Sequence, residues 1–134
     1  MSDRVIVDCE KYCLLYHEDS RIIHHRIYQY VYGERLKEML LRGVSLMEET
    51  KATKWLSDDR LNAALSKDDF EWSTTVWRPR AIKAGWRYWA LVLPEKVTGQ
   101  MSLRKVLDDF YGDSPVTYSL FNDPTEGMTW LESH

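Results

Sequence analysis

The spacing of apolar residues along the chain changes several times, and each change marks a new element. Val5 to Cys9, Tyr12 to Tyr16 and Ile22 to Tyr28 are short runs of β-branched, aromatic and aliphatic side chains, and the polar group His17-Glu18-Asp19-Ser20 separates the last two. They predict a hairpin, preceded by either a third strand or the start of a long first one. Leu36, Met39, Leu40, Gly43, Val44 and Met47 then recur at spacings of three and four, which requires one buried helical face. This helix ends near Glu49 to Lys51. Lys54-Trp55-Leu56-Ser57 is a short strand candidate, and Asp58-Asp59-Arg60-Leu61-Asn62 is the polar loop leaving it.

Ser66-Lys67-Asp68-Asp69 reads as a capping box, with Ser66 accepting from the amide of Asp69 and the Asp69 carboxylate reaching back. A second helix starts there, with Phe70 and Trp77 on a shared face. Pro79 has no amide hydrogen and clashes with the preceding turn, so a break or kink is expected near Arg78, with a restart at Pro79 and closure at Gly85. Tyr88 to Leu93 is apolar without alternation, as in a central strand covered on both faces, and Pro94 stops it. A third helix carries Leu103, Val106, Leu107 and Phe110 and ends at Gly112. Val116, Tyr118 and Leu120 alternate with polar residues as a half-buried strand. Asp123-Pro124-Thr125-Glu126 then opens a fourth helix with Met128 and Leu131 on one face. The expected fold is α/β: one layered domain over residues 1–134, with four helices, a mixed, mostly parallel sheet and an antiparallel N-terminal hairpin at its edge.

Composition narrows the partners. With 134 residues, 44% apolar and 29% charged, the chain has ordinary globular usage. Its net charge of −3 offers no global basic field for a phosphate backbone, so no nucleic-acid partner is expected. The N-terminal Met1-Ser2-Asp3-Arg4 does not open a secretory leader, and no apolar run reaches the roughly 18 residues of a membrane span. A cytoplasmic location is the resulting expectation. Cys9 and Cys13 would be about 13 Å apart on an extended strand, too far for a disulfide unless the chain folds back at Glu10-Lys11. The aromatic content is unusual: six Trp, eight Tyr and three Phe.

The element order resembles the fold of anti-sigma-factor antagonists and the related STAS domains. Ala52 to Arg60, Gly85 to Pro94 and Asp123 to Glu126 with Trp130-Leu131 are similar to a bacterial subset of that superfamily. The resemblance implies a small domain that binds partners or ligands. In antagonist members a phosphorylatable serine follows the strand after the first helix, within Asp-Ser-Ser/Thr-Gly. The matching stretch here is Leu56-Ser57-Asp58-Asp59-Arg60, which has neither the second hydroxyl nor the glycine, so Ser57 is the single carry-over candidate. A phosphate there adds about −1.5 to −2 charges beside two aspartates, with Arg60 as the available cation.

Ligands of open α/β sheets sit beyond the carboxyl ends of parallel strands. Ser57 to Asn62, Pro94 to Gln100 and Asn122-Asp123 are expected to converge there, with Ser57, Asp58, Asp59, Arg60 and Asn62 forming a ligand or partner loop. Asp58 and Asp59 are candidates for paired carboxylates, although adjacent residues at a strand end point opposite ways. His24 and His25 likewise face apart, so at most one joins His17, and neither a metal site nor a cofactor is expected. His25 shares a face with Ile23 and Ile27 and reads as a satisfied imidazole. Trp55, Trp89 and Trp130 read as core. Trp72 and Trp77 lie five apart and cannot both face the sheet centre, so one of them, or Trp86, is expected to line a pocket or interface. Tyr28, Tyr30 and Tyr32 make an aromatic row if extended, and an exposed row of that kind marks association. Arg78, Arg80, Lys83 and Arg87 form a local basic group. The leading expectation is therefore a non-enzymatic STAS-like binding or regulatory module acting as a homodimer. The alternative is a carrier of an apolar or lipid-like small molecule in a Trp-lined pocket, and an enzyme using Asp58, Asp59 or His17 ranks last.

Overall fold

Each of the three N-terminal apolar runs becomes its own strand, because the chain folds back twice where polar residues interrupt them. The computed structural model describes residues 3–134; Met1 and Ser2, which belong to the leader reading, lie outside the described residues. Strands β1 (Asp3–Asp8), β2 (Tyr12–His17), β3 (Ile22–Ile27), β4 (Lys54–Asp58), β5 (Tyr88–Val92) and β6 (Thr117–Phe121) form one sheet in sequential order. The first three pair antiparallel and β3 to β6 pair parallel. The turn at Glu10-Lys11 brings Cys13 opposite Asp8, yet both cysteines remain free thiols.

Four helical segments connect or flank the strands. They are α1 (Gly33–Thr50), a run made of α2 (Lys67–Trp72), a π-helical turn (Ser73–Trp77) and α3 (Arg78–Ala84), then α4 (Val97–Phe110) and α5 (Pro124–Glu132). Since the parallel strands advance steadily in one direction, crossovers of one hand all fall on one face of the sheet. The side chains divide accordingly. Ile23, Trp55, Trp89 and Leu91 pack with α1, α3 and α4, while Ile22, Leu56, Ala90 and Val92 pack with Leu131 of α5 on the other face. No helix among the described residues is long and apolar enough to cross a membrane.

Three local expectations are corrected. The second helix does not break at Arg78: the amide of Arg78 reaches back five residues to Ser73 O, and this wide turn delivers Pro79 into the first turn of α3, where no donor is needed. The closure at Gly85 holds, with φ 115 in the left-handed region. Ser66 Oγ does accept from the Asp69 amide at 3.1 Å, but the Asp69 carboxylate accepts from the Gly33 amide at 3.0 Å instead of returning to Ser66. It ties the starts of α1 and α2 together. Asp58, expected in the loop, is the last residue of β4.

Gly43 sets the distance between α1 and the sheet. A Cβ there would run into the ring of Trp55, which is 1% exposed and cannot swing away. Alanine gains about 1 kcal/mol of helix propensity over glycine, while overpacking a filled core costs about 1–3 kcal/mol and reaches its upper end against a rigid indole. Gly43→Ala is therefore expected to lose about 2 kcal/mol net in urea unfolding; a variant as stable as the wild type would mean that α1 does not rest on Trp55.

Candidate functional site

The register of the central strands stacks polar and aromatic residues on the face that α1, the α2–α3 run and α4 cover. Ile23 lies opposite Trp55 and Trp55 opposite Trp89, while His25 lies opposite Ser57 one step further on. Buried indoles need acceptors for their N–H groups, and each of these finds one. Trp55 Nε1 donates to His25 Nδ1 at 3.0 Å, Trp89 Nε1 donates to Ser57 Oγ at 2.9 Å, and Trp77 Nε1 donates to Leu40 O at 2.7 Å. An indole N–H only donates, so His25 Nδ1 must accept and the ring proton sits on Nε2. From there it is donated to Asp59 Oδ1 at 2.7 Å. Both imidazole nitrogens are thus occupied, and His25 is neither a free base nor a free metal ligand in this arrangement.

Above this polar row lies a cavity of about 110 Å³. Trp55, Trp77, Trp89 and Tyr111 supply its aromatic wall, and His25, Ser57, Asp59 and Asn62 its polar side. The π turn contributes Ser73, Thr74 and Trp77. The hydroxyls of Ser73 and Thr74 donate to Phe70 O at 3.0 and 2.8 Å, so they satisfy the loosened helix backbone. Asn62 Oδ1 accepts from the Val31 amide at 3.1 Å, which anchors the loop after β4 to the segment before α1. Pro94 and Gly99 also line the cavity, so two of the three expected segments converge and Asn122-Asp123 stays outside. Burial pushes the Tyr111 phenol up, leaving a neutral hydroxyl at the wall.

Ser57, Asp59, Asn62 and Trp77 come together here, and the other expected residues do not. Asp58 turns to the opposite face, 2% exposed, where Arg60 Nε and Nη2 donate to its two oxygens, both at 2.9 Å. Burial works to raise the Asp58 carboxyl, and Arg60 outweighs it, so the group lies below its ordinary value. The two aspartates therefore form no catalytic pair. Ser57 is 2% exposed within β4, accepts a hydrogen bond from Trp89 Nε1 and lines the cavity. Trp86 is fully buried behind the wall, edge-on to Trp77, Trp89 and Tyr111, and does not line the cavity. Trp72 is half-buried at the surface under the ammonium of Lys37, 5.7 Å from its ring.

The tyrosine row does not form. The chain leaves the strand after Ile27, where the amides of Tyr28 and Gln29 both turn back to Lys11 O at 2.8 and 3.2 Å. Tyr28 donates to Asp8 Oδ1, whereas Tyr30 stacks on Tyr32 and donates to Ala64 O. Of the three, Tyr32 alone is well exposed, at 60%. Three members of the basic group are also engaged: Arg80 donates to both oxygens of Glu48, Arg78 donates to Thr74 O and Phe110 O, and Arg87 donates to Ile82 O and Trp86 O.

Trp55 and Trp89 are core residues and His25 is a satisfied imidazole, as expected; the place of all three in the cavity wall, and the part of Tyr111, Ser73 and Thr74, was not foreseen. A signal for part of this lay in the alternation itself. Trp55, Ser57 and Asp59 occupy every second position, as do Ile23 and His25, so they share a face wherever β3 and β4 pair. No family model, curated protein or solved structure matches this chain.

On the face of α5, His17 Nδ1 lies 2.9 Å from Asp3 Oδ1 and its Nε2 lies 3.0 Å from His24 Nδ1, with the two rings stacked. His24 Nε2 is buried with no hydrogen-bond partner among the described residues. Burial, then the electrostatic influence of the neighbouring His17 and His25 rings, depresses His24 to about 3, against an opposing pull from Asp58. A base depressed in the folded state favours folding above its unfolded value of about 6.5, and this support is lost as pH falls from there toward the folded value. Between about pH 7 and about pH 5 the position is expected to withdraw about 2 kcal/mol of stability. Denaturant titrations of the wild type and His24→Gln should diverge by that amount; parallel pH profiles would show that His24 takes up its proton in the fold without penalty.

Proposed function

We propose that this chain is a binding domain for a compact small molecule held in the cavity between the sheet and its three-crossover helical layer. The observation that carries this reading is a cavity walled by four aromatic rings and edged on one side by fixed polar groups, the usual chemistry of a small-ligand site. Its size favours a compact ligand over an acyl chain: an engineered cavity of about 150 Å³ takes benzene, and this one is about 110 Å³. The occupied nitrogens of His25 and the divergence of Asp58 from Asp59 support binding over catalysis. Native mass spectrometry of protein drawn from its own host is expected to reveal a low-mass non-covalent adduct that Ala63→Phe, which fills the cavity, removes. An adduct-free spectrum, together with tryptophan emission unmoved by a panel of compact neutral, cationic and anionic solutes, would overturn the reading.

A second reading, the self-associating regulatory module that the STAS-like resemblance implies, has one observation in its favour. Strand β6 ends the sheet, and Tyr118, Leu120 and Phe121 along it remain half-exposed. At the other edge, a bulge between Val5 and Val7 and the charges of Asp3, Arg4 and Asp8 guard β1 against strand addition. Two copies pairing along β6 would give a dimer mass across the micromolar range, and a strictly monomeric mass there removes this reading.

A further inference from the structure

The charge and hydrogen bonding of the cavity narrow its ligand to one chemical class. Asp59 is the sole lining side chain with a formal charge, since no Lys or Arg reaches the wall and His25 has a nitrogen that can only accept. The indoles of Trp55, Trp77 and Trp89 have spent their N–H donors on His25, Ser57 and Leu40, so toward the cavity they present carbon and π-electron density alone. The indole faces attract a cation, and the donors that an anion could use, the hydroxyls of Ser57, Ser102 and Tyr111 and the Asn62 amide, are all uncharged. Asp59 is itself half-committed: Oδ1 is held by His25 at 2.7 Å, and Oδ2 has no hydrogen-bond partner among the described residues, although the side chain is only 17% exposed. That oxygen keeps some contact with solvent and is open to a donor from a ligand.

From these features we infer that the cavity binds a compact alkylammonium ion, its hydrocarbon body against the indoles and its N–H groups donating to the free oxygen of Asp59. The inference rests on the small-ligand reading and adds the sign of the ligand's charge. The chain of bonds Trp55 to His25 to Asp59 positions the receiving carboxylate, and the ligand itself contributes the positive charge that no lining side chain supplies, Arg78 standing behind the Tyr111 ring.

Three probes of one shape test it: tert-butylammonium, protonated at pH 7 as a lysine ammonium is, neutral tert-butanol, and anionic pivalate. Titrations followed by tryptophan emission are expected to rank them in that order, with tert-butylammonium at least about tenfold tighter than tert-butanol. Asp59→Asn keeps an oxygen to accept from His25 Nε2 but loses the charge, and it is expected to bring the two affinities level. If tert-butanol binds the wild type as tightly as tert-butylammonium, the cation inference fails while the small-ligand reading stands. If none of the three shifts emission or melting temperature, both fail. A charge preference that survives in a folded Asp59→Asn protein would overturn the assignment to Asp59, and the wild-type ranking decides the ligand class even if that variant does not fold.

Discussion

A buried indole left without an acceptor is costly; Trp86 Nε1 is left so among the described residues, but at Trp55 the need is met, and meeting it organises much of the molecule. The ring is 1% exposed, lies against Gly43 of α1 on one side and stands edge-on to Trp77 at 5.4 Å. Leaving its N–H unpaired would cost about 1–3 kcal/mol, so the neighbouring strand must offer an acceptor on the same face, here two residues beyond the one opposite Trp55. His25 does, and in accepting it is forced to put its own proton on the nitrogen that faces Asp59. One packing decision on β4 thereby determines the tautomer of a histidine on β3 and the orientation of a carboxylate beyond the end of β4. A leucine at position 55 would fill volume but would specify none of this.

The topology explains where the cavity lies. In doubly wound sheets the strand order reverses and a crevice opens at the reversal. Here β3 to β6 never reverse, and the three crossovers share one face. Space for a ligand has to come from within that layer. It arises where the π turn Ser73–Trp77 widens the helical run over β4 and where Gly99 and Pro94 draw the start of α4 close to the loop after β4. A π turn inserts one residue into a helix and loosens its hydrogen bonding, and Ser73 and Thr74 compensate by bonding Phe70 O. The residues that repair the helix are thus also residues that line the cavity.

Much of the fold was legible because its signals are local. The Ser66 and Asp123 caps, the stop at Pro94 and the left-handed Gly85 each depend on a few adjacent residues, and each appears where the chain announces it. The alternation on β4 also separated Asp58 from Asp59 correctly in principle. The misses are places where a distant partner decided the outcome. Tyr28 continues the strand pattern and its amide still meets its in-register partner Lys11 O across the hairpin, yet the next amide, of Gln29, turns to the same carbonyl and ends the ladder. Asp69 looks like half of a capping box until the Gly33 amide arrives from another element. Pro79 reads as a breaker because an α-helical count puts its missing donor mid-helix, and one π turn changes the count. The cavity itself was hidden for the same reason: a tryptophan that lines a void and one that fills a core have the same sequence neighbourhood.

The aromatic excess then resolves into distinct kinds of work. Trp130 closes the α5 face against Tyr88 and Phe121, and Trp72 shields the surface beneath Lys37. Trp86 backs the wall from within, packed edge-on against three rings. The remaining three indoles each bond a different element: Trp55 reaches β3, Trp77 reaches α1 and Trp89 reaches β4. Those bonds hold the wall rigid without a ligand, which lowers the ordering cost of binding. They also consume the donors that would have made the wall indifferent to charge. Rigidity and a preference for positive charge follow from the same three hydrogen bonds, so the packing of this core and the chemistry of its cavity are one constraint.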